Sequence, residues 1–139
     1  MKQIPLVRRV VLGPAVSYMS GQGIPVKRYL HRAKIAVPEP AAPNALMPLH
    51  QFCVFLNSVT RAEGYHDLGF HIAGQQGIES LGVYGNLVMQ SLTLHDFIQT
   101  SMELISAYNS GLLIWMERQG EEVRYCQKYH ESIPRRLLT

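Results

Sequence analysis

The residues able to do chemistry in this chain are six histidines, two cysteines and a scatter of serines and carboxylates. A metal site asks for His, Cys, Asp or Glu at short, fixed spacing. His66 and His71 stand five apart, while His31, His50, His95 and His130 are isolated, and no H-x-x-x-H with a carboxylate occurs. Cys53 and Cys126 are far apart, and there is no C-x-x-C of the redox or zinc-binding kind. Cys53 sits in the apolar stretch "HQFCVFL", which predicts a small buried hydrophobe rather than a nucleophile. Ser91, Ser101, Ser106 and Ser110 lack the G-x-S-x-G setting that raises a serine above a sheet. Glu121 and Glu122 flank a hairpin turn and are expected in solvent, not as an acid–base pair. "GQQGIESLGVYG" contains glycines but lacks the strand–turn–helix context of a phosphate loop. The chemistry therefore points away from an enzyme, and no metal or cofactor is expected.

What remains is binding. Small-molecule pockets are mostly apolar with a few placed polar groups. A pocket between the helices and the hairpin would draw walls from Tyr84, Met89, Trp115 and Tyr125, with Arg124 or His71 as polar anchors. The alternative for these residues is an ordinary aromatic core.

Several elements must position them. With 139 residues, 47% hydrophobic and 17% charged, the chain can build one domain with a real core. No apolar run reaches membrane-spanning length. The start, "MKQIPLVRRVVLGPAVSYMSG", is broken by Gly13 and Pro14 and has no convincing cleavage site, so the cytoplasm is the default expectation. The net charge of +3 is spread over pairs such as Arg8 and Arg9, Lys27 and Arg28, and Arg135 and Arg136. No basic stripe of a nucleic-acid surface results.

Residues 1 to 12 read as extended or loosely ordered. A short helix starting at Pro14 is stopped by Gly21 and Gly23. From Pro25, Val26, Tyr29, Leu30 and Ala33 fall on one helical face. Pro38, Pro40, Pro43 and Pro48 mark a stiff connector. A strong helix runs from Pro48 to Glu63 with Phe52, Phe55, Leu56 and Val59 as its stripe and Gly64 as its stop. Asp67 is placed to cap the next helix, which turns Leu68, Ile72 and Ala73 inward. A further helix from Ser80 to Gln90 buries Leu81, Tyr84 and Val88 and contains Gly82 and Gly85. Each glycine costs about 1 kcal/mol there and so implies close packing. Thr93 caps the clearest helix, with Asp96 three residues on, and Leu94, Phe97, Ile98, Met102, Ile105 and Tyr108 share its stripe. Then the period changes to two: Leu112 to Tyr129, turning near Gly120, reads as a β-hairpin with Val123, Tyr125 and Gln127 on one face. Two strands alone are marginal in water. The expected fold class is α+β, a bundle of short helices on an antiparallel sheet that is incomplete within these residues.

The order of these elements, and the stretch "GYHDLGFHIAGQQGIESLGVYGNLVMQSLTLHDFIQTSMELISAYNSGLLIWMERQGEEVRYC", resemble the N-terminal, arabinose-binding-like sensory domain of AraC-type transcriptional regulators. The matching pattern is D-L-G at Asp67 to Gly69, L-G-x-x-G at Leu81 to Gly85, S-x-T-L at Ser91 to Leu94 and E-x-x-G-x-x-V-x-Y from Glu117 to Tyr125. The early "GQGIPVKRYLHRAKI" fits as well, with its glycine and leucine seven apart. The resemblance extends from Pro14 to Tyr129, and "PRRLLT" after Ile133 does not look like the family. It implies a small-molecule effector, a possible homodimer, and contact with DNA only through a C-terminal pair of helix-turn-helix motifs. Those motifs are not in this chain, so it is expected to be a single effector-sensing and dimerisation domain (residues 1–139): a fragment, an excised domain or a truncated reading frame. The runner-up is a stand-alone small-molecule or haem sensor, the latter with an axial histidine.

Overall fold

In the computed structural model, which describes residues 3–36, 42 and 44–138, the chain folds as α+β, with six helices and two small antiparallel sheets. Pro38, Pro40 and Pro43 of the expected connector lie outside the described residues.

The first sheet pairs β1 (Leu6–Arg8) with β2 (Leu46–Pro48), Val7 opposite Met47. Both of these side chains are buried. The sequence gives no period-two signal here, because each strand is three residues long. Val7 also bridges to Asn109. The Leu6 N–H donates to Ser110 Oγ and the Ser110 N–H to the Leu6 carbonyl, both at 2.8 Å. β1 is thus stitched to two distant parts of the chain.

Three helices build the main core. α1 (Leu12–Gly21) buries Leu12, Ala15 and Met19. It begins before Pro14, which occupies its first turn, where a missing N–H breaks no helical bond. α2 (Val26–Arg32) buries Val26, Tyr29 and Leu30, the face read from the sequence. α3 (Leu49–Glu63) buries Leu49, Cys53, Phe55 and Val59 and ends at Gly64, whose φ of 72° supplies the left-handed turn. Phe52 and Leu56, the other half of its stripe, are only half-buried.

α4 (Leu68–Gln75) is held more loosely, with Leu68 its one buried side chain. Asp67 takes the position before the helix but makes no side-chain cap bond. Its carboxylate lies 3.0 Å from His71 Nε2 instead. The helix expected from Ser80 to Gln90 is broken in two: a 3-10 turn (Ile78–Leu81), then α5 (Val83–Met89). The break is at Gly82, with φ 71° and ψ −139°, a conformation open essentially to glycine. Gly85 has the reason its position implied, since a Cβ there would collide with the Ile78 carbonyl oxygen.

α6 (Leu94–Tyr108) starts at Thr93, whose hydroxyl accepts the Asp96 N–H at 3.1 Å. β3 (Leu112–Gln119) and β4 (Glu122–Tyr129) pair along their full length, turning through Gly120 and Glu121. The single incomplete sheet expected is therefore two separate ribbons. The tail returns to α3: Ile133 is buried and the Asn57 side-chain amide donates to the Arg136 carbonyl. No helix among the described residues is long and apolar enough to cross a membrane.

Candidate functional site

Two cavities lie on either side of the turn that ends at Gly82, and Leu81 lines both. The larger, about 430 Å³, opens between α1, α3 and α4. Pro14 and Ala15, with Val11 just before the helix, form its α1 wall, and Phe52 and Leu56 its α3 wall. On α4, Gly69 and Ala73 stand four apart and line the cavity, and Gly77, in the extended stretch after the helix, lines it too. Small residues at that spacing on one helical ridge leave room that larger ones would fill. This was the available sequence signal for the cavity, together with the α3 stripe being wider than the core needs.

The smaller cavity, about 280 Å³, lies between β1, α5 and α6. Arg8 and Asn44 supply its polar edge, and Tyr84 and Tyr108 part of its wall. The two tyrosine rings stack at 4.9 Å with 20° between planes. Burial pushes the Tyr108 phenol far above its usual pKa, and the neighbouring Tyr84 adds to this. Its hydroxyl is buried without a hydrogen-bond partner among the described residues. Tyr84 is raised by burial, opposed by a hydrogen bond with Ser101 and reinforced by Tyr125. The Arg8 guanidinium is already engaged, donating from Nε to the Ala107 carbonyl and from Nη1 to the Asn44 carbonyl, each at 2.9 Å.

The structure brings together only part of the set expected between helices and hairpin. Tyr84 and Tyr125 are close enough to influence one another. Trp115 and Arg124 occupy the opposite face of the hairpin from Tyr125: Trp115 pairs with Cys126 and Arg124 with Glu117, whereas Tyr125 pairs with Met116. Trp115 Nε1 donates to the Glu117 carboxylate along that face. His71 belongs to a different cluster, stacked on Tyr18 at 6.0 Å and edge-on to Tyr65 at 5.9 Å. Met89 is exposed at the α5–α6 corner.

Cys53 is buried, and burial holds its thiol above the usual pKa, in the protonated and unreactive form. Among the described residues no group of three or more His, Cys, Asp or Glu side chains could hold a metal ion.

One comparison decides the family. A family model described as the arabinose-binding domain of AraC transcription regulator, N-terminal, matches residues 23–139. The chain belongs to this family. No curated protein matches it. The arabinose-binding match runs through "PRRLLT", so the tail after Ile133, read from the sequence as outside the resemblance, lies within it. At the other end the match begins at Gly23. The α1 wall of the larger cavity therefore precedes the matched region, although the resemblance read from the sequence began at Pro14. Membership makes the chain a ligand-sensing N-terminal regulatory domain of transcription regulation.

Proposed function

We propose that residues 1–139 act as one effector-sensing module of an AraC-type transcription regulator, with the α1–α3–α4 cavity as the effector site. The observation that carries this is the cavity itself. At about 430 Å³ it falls within the ~300–1,000 Å³ typical of small-molecule sites. It is walled by two firmly packed helices and one loosely held helix. A ligand that fits one arrangement of α4 better than another shifts the population toward it. A helix-turn-helix pair attached beyond Thr139 would feel that shift and alter its grip on DNA, and homodimerisation would set the spacing of two such pairs. Within this reading Tyr84 belongs to the second, smaller cavity, and Tyr125, Trp115, Arg124 and His71 are surface or support residues.

Two measurements test the proposal. The chain is melted with a panel of sugars, carboxylates and apolar metabolites. A ligand of any class that raises the midpoint supports sensing, by mass action on the folded state; no shift with any class overturns it. The reading frame downstream of Thr139 is then sequenced. Two helix-turn-helix motifs support the coupling to DNA, and a stop codon with no such motifs overturns it. The isolated chain should retard DNA only weakly and lose that binding as salt rises.

A further inference from the structure

We infer that the α1–α3–α4 cavity takes an uncharged, largely apolar small molecule and not a sugar, an inference that rests on the sensing reading above. The lining carries no charge among the described residues, and its only polar side chains are Gln76 and Ser80. Ser80 is already committed, because its hydroxyl donates to the Gly77 carbonyl at 2.6 Å. Among the side chains, one amide and the two lone pairs of one hydroxyl are left to meet a ligand.

That supply is too small for a sugar. Each sugar hydroxyl is both donor and acceptor. Removed from water without a partner, each costs on the order of ten- to a hundredfold in affinity. A pentose bound here would lose several such factors. An aromatic ring or short acyl chain loses none.

The walls also gain from an apolar guest. Val11, Phe52, Leu56, Ile72 and Leu81 all pack against the core yet remain partly exposed. A guest in the cavity completes their burial, which is the driving force for apolar binding. Three other cavities differ in kind. The one at β1 has Arg8 and Asn44 on its edge, the one beyond α4 has His66 and Asp67, and the one at the open end of the hairpin has Lys128, His130 and Glu131. The apolar guest would also tie α4, which has one buried side chain of its own, to α1 and α3.

The probe for this is N-phenyl-1-naphthylamine, an uncharged fluorescent ring compound, with L-arabinose as competitor. Saturable binding of one probe per chain is expected, undisturbed by excess arabinose. Ala73→Phe, which fills the cavity from an exposed helical position, should weaken the probe about tenfold or more. Phe52→Ala, on the opposite wall, should weaken it several-fold, and serves if Ala73→Phe does not fold. Leu92→Ser, at an exposed leucine outside the cavity, should leave it unchanged. Displacement of the probe by arabinose, or a midpoint raised by arabinose and not by the probe, would overturn the apolar class while leaving sensing intact. Binding that survives both cavity variants, or that is lost in Leu92→Ser, would show that the cavity is not the site. Failure of every small molecule to bind would remove the sensing reading as well.

Discussion

α3 and α6 are each fifteen residues long, each carries a regular apolar stripe, and their surroundings treat them differently. α3 has no side-chain cap, yet one half of its stripe is covered along its length, at Leu49, Cys53, Phe55 and Val59, with Phe55 and Val59 fully buried. α6 has the better start, with Thr93 capping it. Its stripe is covered only toward the end, at Ser101, Ile105 and Tyr108. At its beginning Leu94 is 74% exposed, and Leu92 just before it 95%. Local signals thus decide whether a helix forms, and remote elements decide whether its face is used. Neither can be inferred from the other.

The sharpest way to break this comparison is Phe55→Ala. Removing a fully buried ring from α3 should cost about 3–5 kcal/mol, read as a lower denaturant midpoint at unchanged slope. A cost under about 1 kcal/mol would show that the α3 core can collapse around the void. Gly85→Ala comes next. Its Cβ would collide with the Ile78 carbonyl, so the 3-10 turn must shift, at about 1–3 kcal/mol. Thr93→Ala removes the α6 cap and should cost about 1 kcal/mol; an unchanged midpoint would mean that α6 is held entirely by its buried end. The smallest effect belongs to Leu94→Ser, expected within about 0.5 kcal/mol of zero. A larger loss would show that the α6 start is covered in solution.

The same division explains what the sequence could reveal. α2, α3, α6 and the hairpin were legible because each carries its period, and a start or stop residue, within its own stretch of sequence. β1 and β2 were not, since three-residue strands some forty positions apart carry no pattern of their own. The break at Gly82 was missed because its positive φ is set by tertiary packing; only the glycine itself hinted at it. Among the candidate site residues, Tyr84 was readable as a half-buried ring of α5. The hairpin set failed on parity: Trp115 and Tyr125 are ten apart in sequence, but the turn between them puts them on opposite faces. The larger cavity is built mostly from residues too ordinary to single out, such as Ala15, Ala73 and Gly69, and its meaning lies in what their size leaves open.

The stitching of β1 to the α6–β3 junction bears on how the chain is made. The Leu6 N–H finds its acceptor 104 positions later. On a ribosome adding residues one by one, β1 is made long before Ser110 exists. α1, α2 and α3 can assemble during that wait, since their contacts are near in sequence. Closing the strand then fixes a loop of most of the chain in one step, whose entropic cost grows only slowly with length but is met late. The seam joins an early segment to a late one, and it can close only after the chain has been made as far as Ser110.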